Sequence, residues 1–258
     1  MHIKYVNVAV LLLTLTGCVS NASFDTNSAK ETMLVNTKNY PELISFYKSQ
    51  LREKNTRDVR EKLSQTYLDY GDAESALFTI EQLNDKSPTI NSLLIQANSE
   101  FEQGYIIAAL ATTKRAYELE DDNAEVENLL GVIYASEGDI TQARHYFNLA
   151  RKHLYDDIKI KNNLAVLDIV EGQYEVAIKR LLPVYMNEKL DDQVQANLMM
   201  AMAKAGDFDL MKRVLALKFN EREITERYLA LKGAEPLSTG VAMSTADPDM
   251  VDEHNAVQ

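Results

Sequence analysis

Gly104, Gly138, Gly172 and Gly206 stand 34 residues apart, and Gly71 precedes them by 33. Other columns share the period. Five residues after each glycine come Ala76, Ala109, Ala143, Ala177 and Met211; eight before come Leu63, Gln96, Leu130, Leu164 and Leu198; nine after come Ile80, Thr113, Phe147, Leu181 and Leu215. A period of this length builds one supersecondary unit again and again, each burying its apolar side on its neighbours. Apolar residues at i, i+3 and i+4 flank every glycine, so each unit is two helices with the glycine at the reversal. Asp72, Asp139 and Asp207 directly follow a glycine, where a short acidic side chain caps the next helix. Nine glycines and five prolines are too few for an all-β chain of tight turns.

The predicted fold is therefore all-α. Helix pairs are expected at 57–86, 90–119, 124–154, 158–188 and 192–219, with a preceding helix at Tyr40–Glu53 and a closing one at about 221–232. Pro183 falls inside a helix and, lacking an N–H, is expected to kink it or end it early. The pattern resembles the tetratricopeptide repeat (TPR). The fullest copy is Ala124–Asp157, with Leu130, Gly131, Tyr134, Gly138, Ala143, Phe147 and Ala150 in register with the family motif and Glu127 where the motif has tryptophan. Pro88 occupies the repeat-closing proline position. This resemblance implies a right-handed superhelical solenoid of antiparallel helix pairs over residues 39–232.

The two ends read differently. A positive start, Met1-His2-Ile3-Lys4, leads into a mainly apolar run from Val8 to Leu15. That run makes a helix of only about 12 Å, against a hydrocarbon core of about 30 Å, so residues 1–17 read as a signal peptide rather than a membrane span. Leu15-Thr16-Gly17-Cys18 resembles the bacterial lipobox, which implies a covalent lipid on Cys18 as the mature N-terminus. Val19 follows, rather than the Asp that resembles an inner-membrane retention signal, which implies the outer membrane. Residues 18–38 are polar and lack helical periodicity, and are expected to be a tether with a mean reach of about 25 Å. Residues 233–258 carry no buried stripe and are expected to form a disordered acidic tail.

With 27 Lys+Arg against 39 Asp+Glu, the chain has a net charge of −12 and a surface that repels phosphate backbones, so no nucleic acid is expected. A single cysteine excludes an intramolecular disulfide and a Cys-based zinc site. His145 and His153 form no metal-binding spacing and are expected on the surface. The pairs Asp121-Asp122, Asp156-Asp157 and Asp191-Asp192 recur once per repeat, 35 residues apart, just before first helices, where helix capping is their expected role. No nucleophile elbow or phosphate-cradling loop is present. No enzyme activity, small-molecule substrate, metal or cofactor beyond the lipid is expected.

What a helical-pair solenoid offers is a groove lined by the first helix of each pair. By the repeat resemblance, the groove positions are Leu94, Asn98 and Phe101; Asn128, Val132 and Ala135; Asn162, Val166 and Ile169; and Ala196, Met200 and Ala203. An apolar surface with an asparagine track suits a bound peptide, and inter-repeat packing is the alternative for the same residues. The first column of the carboxylate-clamp proteins holds Glu61, Leu94, Asn128, Asn162 and Ala196 here, so a free C-terminus is not the expected ligand.

Within 158–232, Asn162-Asn163-Leu164-Ala165, Gly172, Ala177, Leu181-Leu182-Pro183, Gln195-Ala196-Asn197-Leu198, Ala205-Gly206, Ile224 and Tyr228-Leu229 resemble the C-terminal half of the TadD family, the TPR lipoproteins of tight-adherence (Tad, Flp pilus) systems. Met211 departs from the family's small residue. The resemblance implies a pilotin-like assembly factor that binds an outer-membrane secretin or another pilus assembly protein. A type IV pilus pilotin and an envelope scaffold for peptidoglycan enzymes or outer-membrane protein insertion are the alternatives.

Overall fold

The computed structural model describes residues 26–84, 87–187 and 192–234. The signal peptide, Cys18 and the chain from 235 onward lie outside the described residues. Two helices, α1 (Thr26–Asn36) and α2 (Tyr40–Glu53), lead into five antiparallel pairs: α3 (Arg57–Asp69) with α4 (Ala73–Asn84), α5 (Ile90–Glu102) with α6 (Ile106–Leu119), α7 (Ala124–Ser136) with α8 (Ile140–Lys152), α9 (Asp157–Val170) with α10 (Tyr174–Asn187), and α11 (Asp192–Ala205) with α12 (Phe208–Leu215). The last described helix is α13 (Glu221–Gly233). Each helix packs on its successor, and first helices also touch one another from pair to pair, α3 on α5, α5 on α7, α7 on α9 and α9 on α11. The architecture is a TPR-type solenoid.

The periodic glycines do what their spacing demands. All five adopt φ between +74° and +83°, a left-handed conformation that side chains with a Cβ rarely adopt. At the first turn Gly71 N–H donates to Leu68 O and Asp72 N–H to Tyr67 O, satisfying two carbonyls that the helix end leaves open; the same pair of bonds recurs at the other four. Asp72, Asp139 and Asp207 each accept a backbone N–H from the helix that follows. Five residues past each glycine, Ala76, Ala109, Ala143, Ala177 and Met211 are all fully buried. Leu130, Leu164 and Leu198 fill the core one repeat apart. Gln96 stands in that column too, and its amide is absorbed by a polar seam: Asn84 Nδ2 donates to Gln96 Oε1 at 2.7 Å, and Gln96 Nε2 donates to Glu100 Oε1 at 2.7 Å.

Three expectations need correcting. Residues 26–36, read as tether, form α1. Only Leu34 of this helix is buried, so no stripe was visible; polar contacts hold it, with Glu31 accepting from Tyr47 Oη at 2.8 Å and pairing with Lys62 at 3.0 Å. Helix α10 does not end at Pro183 but continues to Asn187. The carbonyl that proline strips of a donor belongs to Lys179, and both residues lie on the exposed side of the helix, where solvent is free to approach. Asn123, rather than Asp121 or Asp122, caps α7, accepting from Glu125 N–H and Val126 N–H at 3.2 Å each. Asp156 does cap α9, accepting from Ile158 and Lys159 N–H. Asp192 is the first residue of α11, and Asp191 lies outside the described residues.

Candidate interaction surfaces

The groove positions divide sharply by burial. Leu94, Val132, Ala135, Val166, Ile169, Met200 and Ala203 are core residues, none more than 7% exposed. Asn128 and Asn162 are 1% and 2% exposed. Their oxygens accept from the next pair: Asn163 Nδ2 donates to Asn128 Oδ1 at 3.0 Å, and Asn197 Nδ2 to Asn162 Oδ1 at 2.8 Å. The asparagine track is thus a ladder of buried amides joining α7, α9 and α11, and packing between repeats occupies it. Burying an amide is costly unless it is paired, and the ladder pairs them. Asn98 is half-buried with its amide on Leu94 O at 2.9 Å, Phe101 is half-buried against the neighbouring core, and Ala196 is exposed. Of the groove residues, Asn98, Phe101 and Ala196 remain open to contact. Glu61 likewise ties pairs together, accepting from Thr89 Oγ1 at 3.1 Å and Asn91 Nδ2 at 2.9 Å.

Two charged constellations escaped the sequence. Asp168 on α9, 1% exposed, receives Arg144 Nη1 of α8 at 2.9 Å and Arg180 Nε of α10 at 3.0 Å. The second arginine nitrogen, Arg144 Nη2, reaches Glu171 at 2.6 Å. His153, expected on the open surface, is partly enclosed, with Nδ1 2.8 Å from Oε2 of Glu127; His145 is exposed. The Glu127 side chain is fully buried, and its Oε1 has no hydrogen-bond partner. Burial pushes its carboxyl above the usual carboxylate range, opposed by the hydrogen bond to His153. The folded chain therefore holds this proton more tightly than the unfolded chain does, and stability present at low pH is lost as pH rises from the ordinary glutamate range through the raised value. Replacing Glu127 with Gln is expected to flatten that decline. Tm followed against pH for both chains checks it, and an identical slope would place the dependence elsewhere.

A surface cleft of about 470 Å³ opens between the α8–α9 loop and the end of α10, lined by residues including Leu154, Tyr155, Lys161, Pro183 and Val184. Leu154 closes α8 with φ +66° and is 91% exposed. Along the turns between paired helices, Tyr70, Tyr105 and Ile107 are also exposed. Among the described residues no group of three or more His, Cys, Asp or Glu could hold a metal ion, and no helix is long and apolar enough to cross a membrane.

Stacked helical pairs whose first helices interlock, with exposed side chains along turns and loops, make this a helical-repeat solenoid of the TPR type. Solved structures agree on the fold. A thermophilic TPR protein of Thermus thermophilus is similar at 19% identity, covering 68% of this chain and 97% of that one, with a TM-score of 0.59. The C-terminal part of a TPR repeat-containing protein from Cytophaga hutchinsonii is similar at 14% identity, covering 79% and 78%, with a TM-score of 0.50. No family model matches the sequence, and no curated protein matches it.

Proposed function

We propose that this chain is an outer-membrane lipoprotein that binds a secretin subunit of a tight-adherence (Flp pilus) system, carries it by its lipid anchor and assists its assembly. The observation that carries this reading is the placement of Leu15-Thr16-Gly17-Cys18 directly ahead of an interaction scaffold. Helix α1 begins at Thr26, eight residues beyond Cys18. Eight residues span at most about 27 Å, so an anchor there holds the first helices close to the bilayer. One acyl chain binds a membrane only marginally, whereas two or more anchor it stably. The scaffold supplies binding and position, and no bond chemistry is assigned to it. The TadD-like residues of 158–232 are what favours a secretin as cargo.

Capture experiments test the cargo. The mature body from Ser20 onward, used as bait, is expected to retain a tight-adherence secretin in preference to a type IV pilus secretin. Retention of the type IV secretin alone would move the assignment to a type IV pilus pilotin, and retention of neither would favour the envelope-scaffold alternative.

A further inference from the structure

The residue after each hinge glycine forms a column along one edge of the solenoid: Asp72, Tyr105, Asp139, Gln173 and Asp207. The three aspartates hydrogen-bond the first turn of the helix that follows. Tyr105 makes no such bond, so α6 forgoes a side-chain cap that is worth about 1 kcal/mol elsewhere, while the ring stays 55% exposed. Two residues on, Ile107 is 83% exposed, and at the preceding turn Tyr70 is 46% exposed. The Tyr70 ring meets Tyr40, with centroids 6.3 Å apart, whereas Tyr105 and Ile107 belong to none of the hydrophobic clusters of the described residues. Exposed tyrosine beside exposed isoleucine is the composition of a contact surface.

The charge around them says what fits. Between Leu63 and Ala143 the sequence holds fifteen Asp and Glu but only three Lys and Arg. Asp72, Glu74, Glu102, Glu137 and Asp139 lie on or beside the same three turns, and none of them pairs with a lysine or arginine among the described residues. One turn further on, Glu171 is already neutralised by Arg144. Packed helices repeat at about 10 Å, which matches roughly three residues of an extended peptide.

We propose that the turn edge of the first three helix pairs binds a lysine- or arginine-rich segment of another protein that also carries apolar side chains, with Tyr105 and Ile107 as anchors and the unpaired acids as the surrounding field. This goes beyond the secretin reading and does not depend on the lipid. Steering by the acids speeds encounter, while the apolar anchors hold the segment once it has docked.

The test uses the full-length chain carrying Cys18→Ser and two fluorescein-labelled peptides of equal charge, one built from Lys and Leu, the other from Lys and Ser. Anisotropy titration is expected to show the Lys/Leu peptide binding about tenfold tighter. Tyr105→Asp restores the capping residue of the sister turns and adds negative charge. It should therefore keep or raise Tm while weakening the Lys/Leu peptide by about tenfold, and Ile107→Ser should weaken it similarly. Equal binding of the two peptides, or Lys/Leu binding untouched by Tyr105→Asp, would overturn the proposal, because charge alone would then explain the attraction. A concentration-dependent dimer dissolved by Tyr105→Asp would also overturn it, assigning the edge to a second copy of the chain.

Discussion

Replacing Asp168 with alanine is expected to destabilise the solenoid by about 3 kcal/mol, the largest effect of any single charge in the described structure. The carboxylate is 1% exposed and joins three helices, receiving Arg144 from α8 and Arg180 from α10. Its removal strands the Arg180 guanidinium beside the core and leaves Arg144 with Glu171 alone. The side chains of Arg144 and Arg180 keep 30% and 23% exposure, so water recovers part of the loss and the cost stays at the low end for a broken buried pair. For a body of this size the change corresponds to a fall in Tm of about 6–12 °C. The exposed pair Arg222–Glu226 provides the contrast, at 86% and 64% exposure: Glu226→Ala should change stability by less than about 0.5 kcal/mol. Denaturant titration of both variants measures the difference. Similar small values for the two would mean that the three-helix clamp contributes nothing beyond a surface pair.

Gly131→Ala should cost about as much, roughly 3 kcal/mol, by overpacking rather than by lost charge. A Cβ at this position would lie 2.5 Å from Cδ1 and Cε1 of Phe147, a ring that is itself fully buried. The ring belongs to α8 and Gly131 to α7, so relief requires the pair to spread. Phe147→Leu shortens the obstructing side chain. The double variant should then be no less stable than Phe147→Leu alone, a coupling of about 3 kcal/mol measured by a double-mutant cycle. Strict additivity would show that the two residues do not meet.

Much of the fold was legible because its cause is local. A glycine that takes φ near +80° marks every repeat, an alanine five residues on marks four of the five, and a capping aspartate beside the glycine marks three. The inner face was less legible. Asn128 and Asn162 occupy one column and Asn163 and Asn197 another, and the hydrogen bonds run across the columns, from each residue to one 35 positions away. Comparison of residues 34 apart therefore set Asn128 and Asn162 in one column but gave no sign that each is paired with an asparagine 35 positions on. Helix α1 was hidden for a different reason: a helix that buries one leucine and docks through Glu31 has no apolar periodicity to detect. Glu127 of α7 and His153 at the end of α8 meet 26 residues apart, a spacing with no local signature.

Tyr105 illustrates how a departure within a column can be read. Three of its four sister positions cap helices, and a residue that gives up the cap while exposing a ring is poorly explained by stability alone.

The proposed anchor at Cys18 is the central claim, and one comparison tests it most directly. Cells expressing the wild-type chain or Cys18→Ser would be separated into outer-membrane and periplasmic fractions, and secretin multimers measured in each. The account predicts that Cys18→Ser moves the solenoid into the soluble periplasm and depletes secretin multimers from the outer membrane. A variant that remains membrane-bound, or outer-membrane multimers at the wild-type level despite a soluble solenoid, would contradict it.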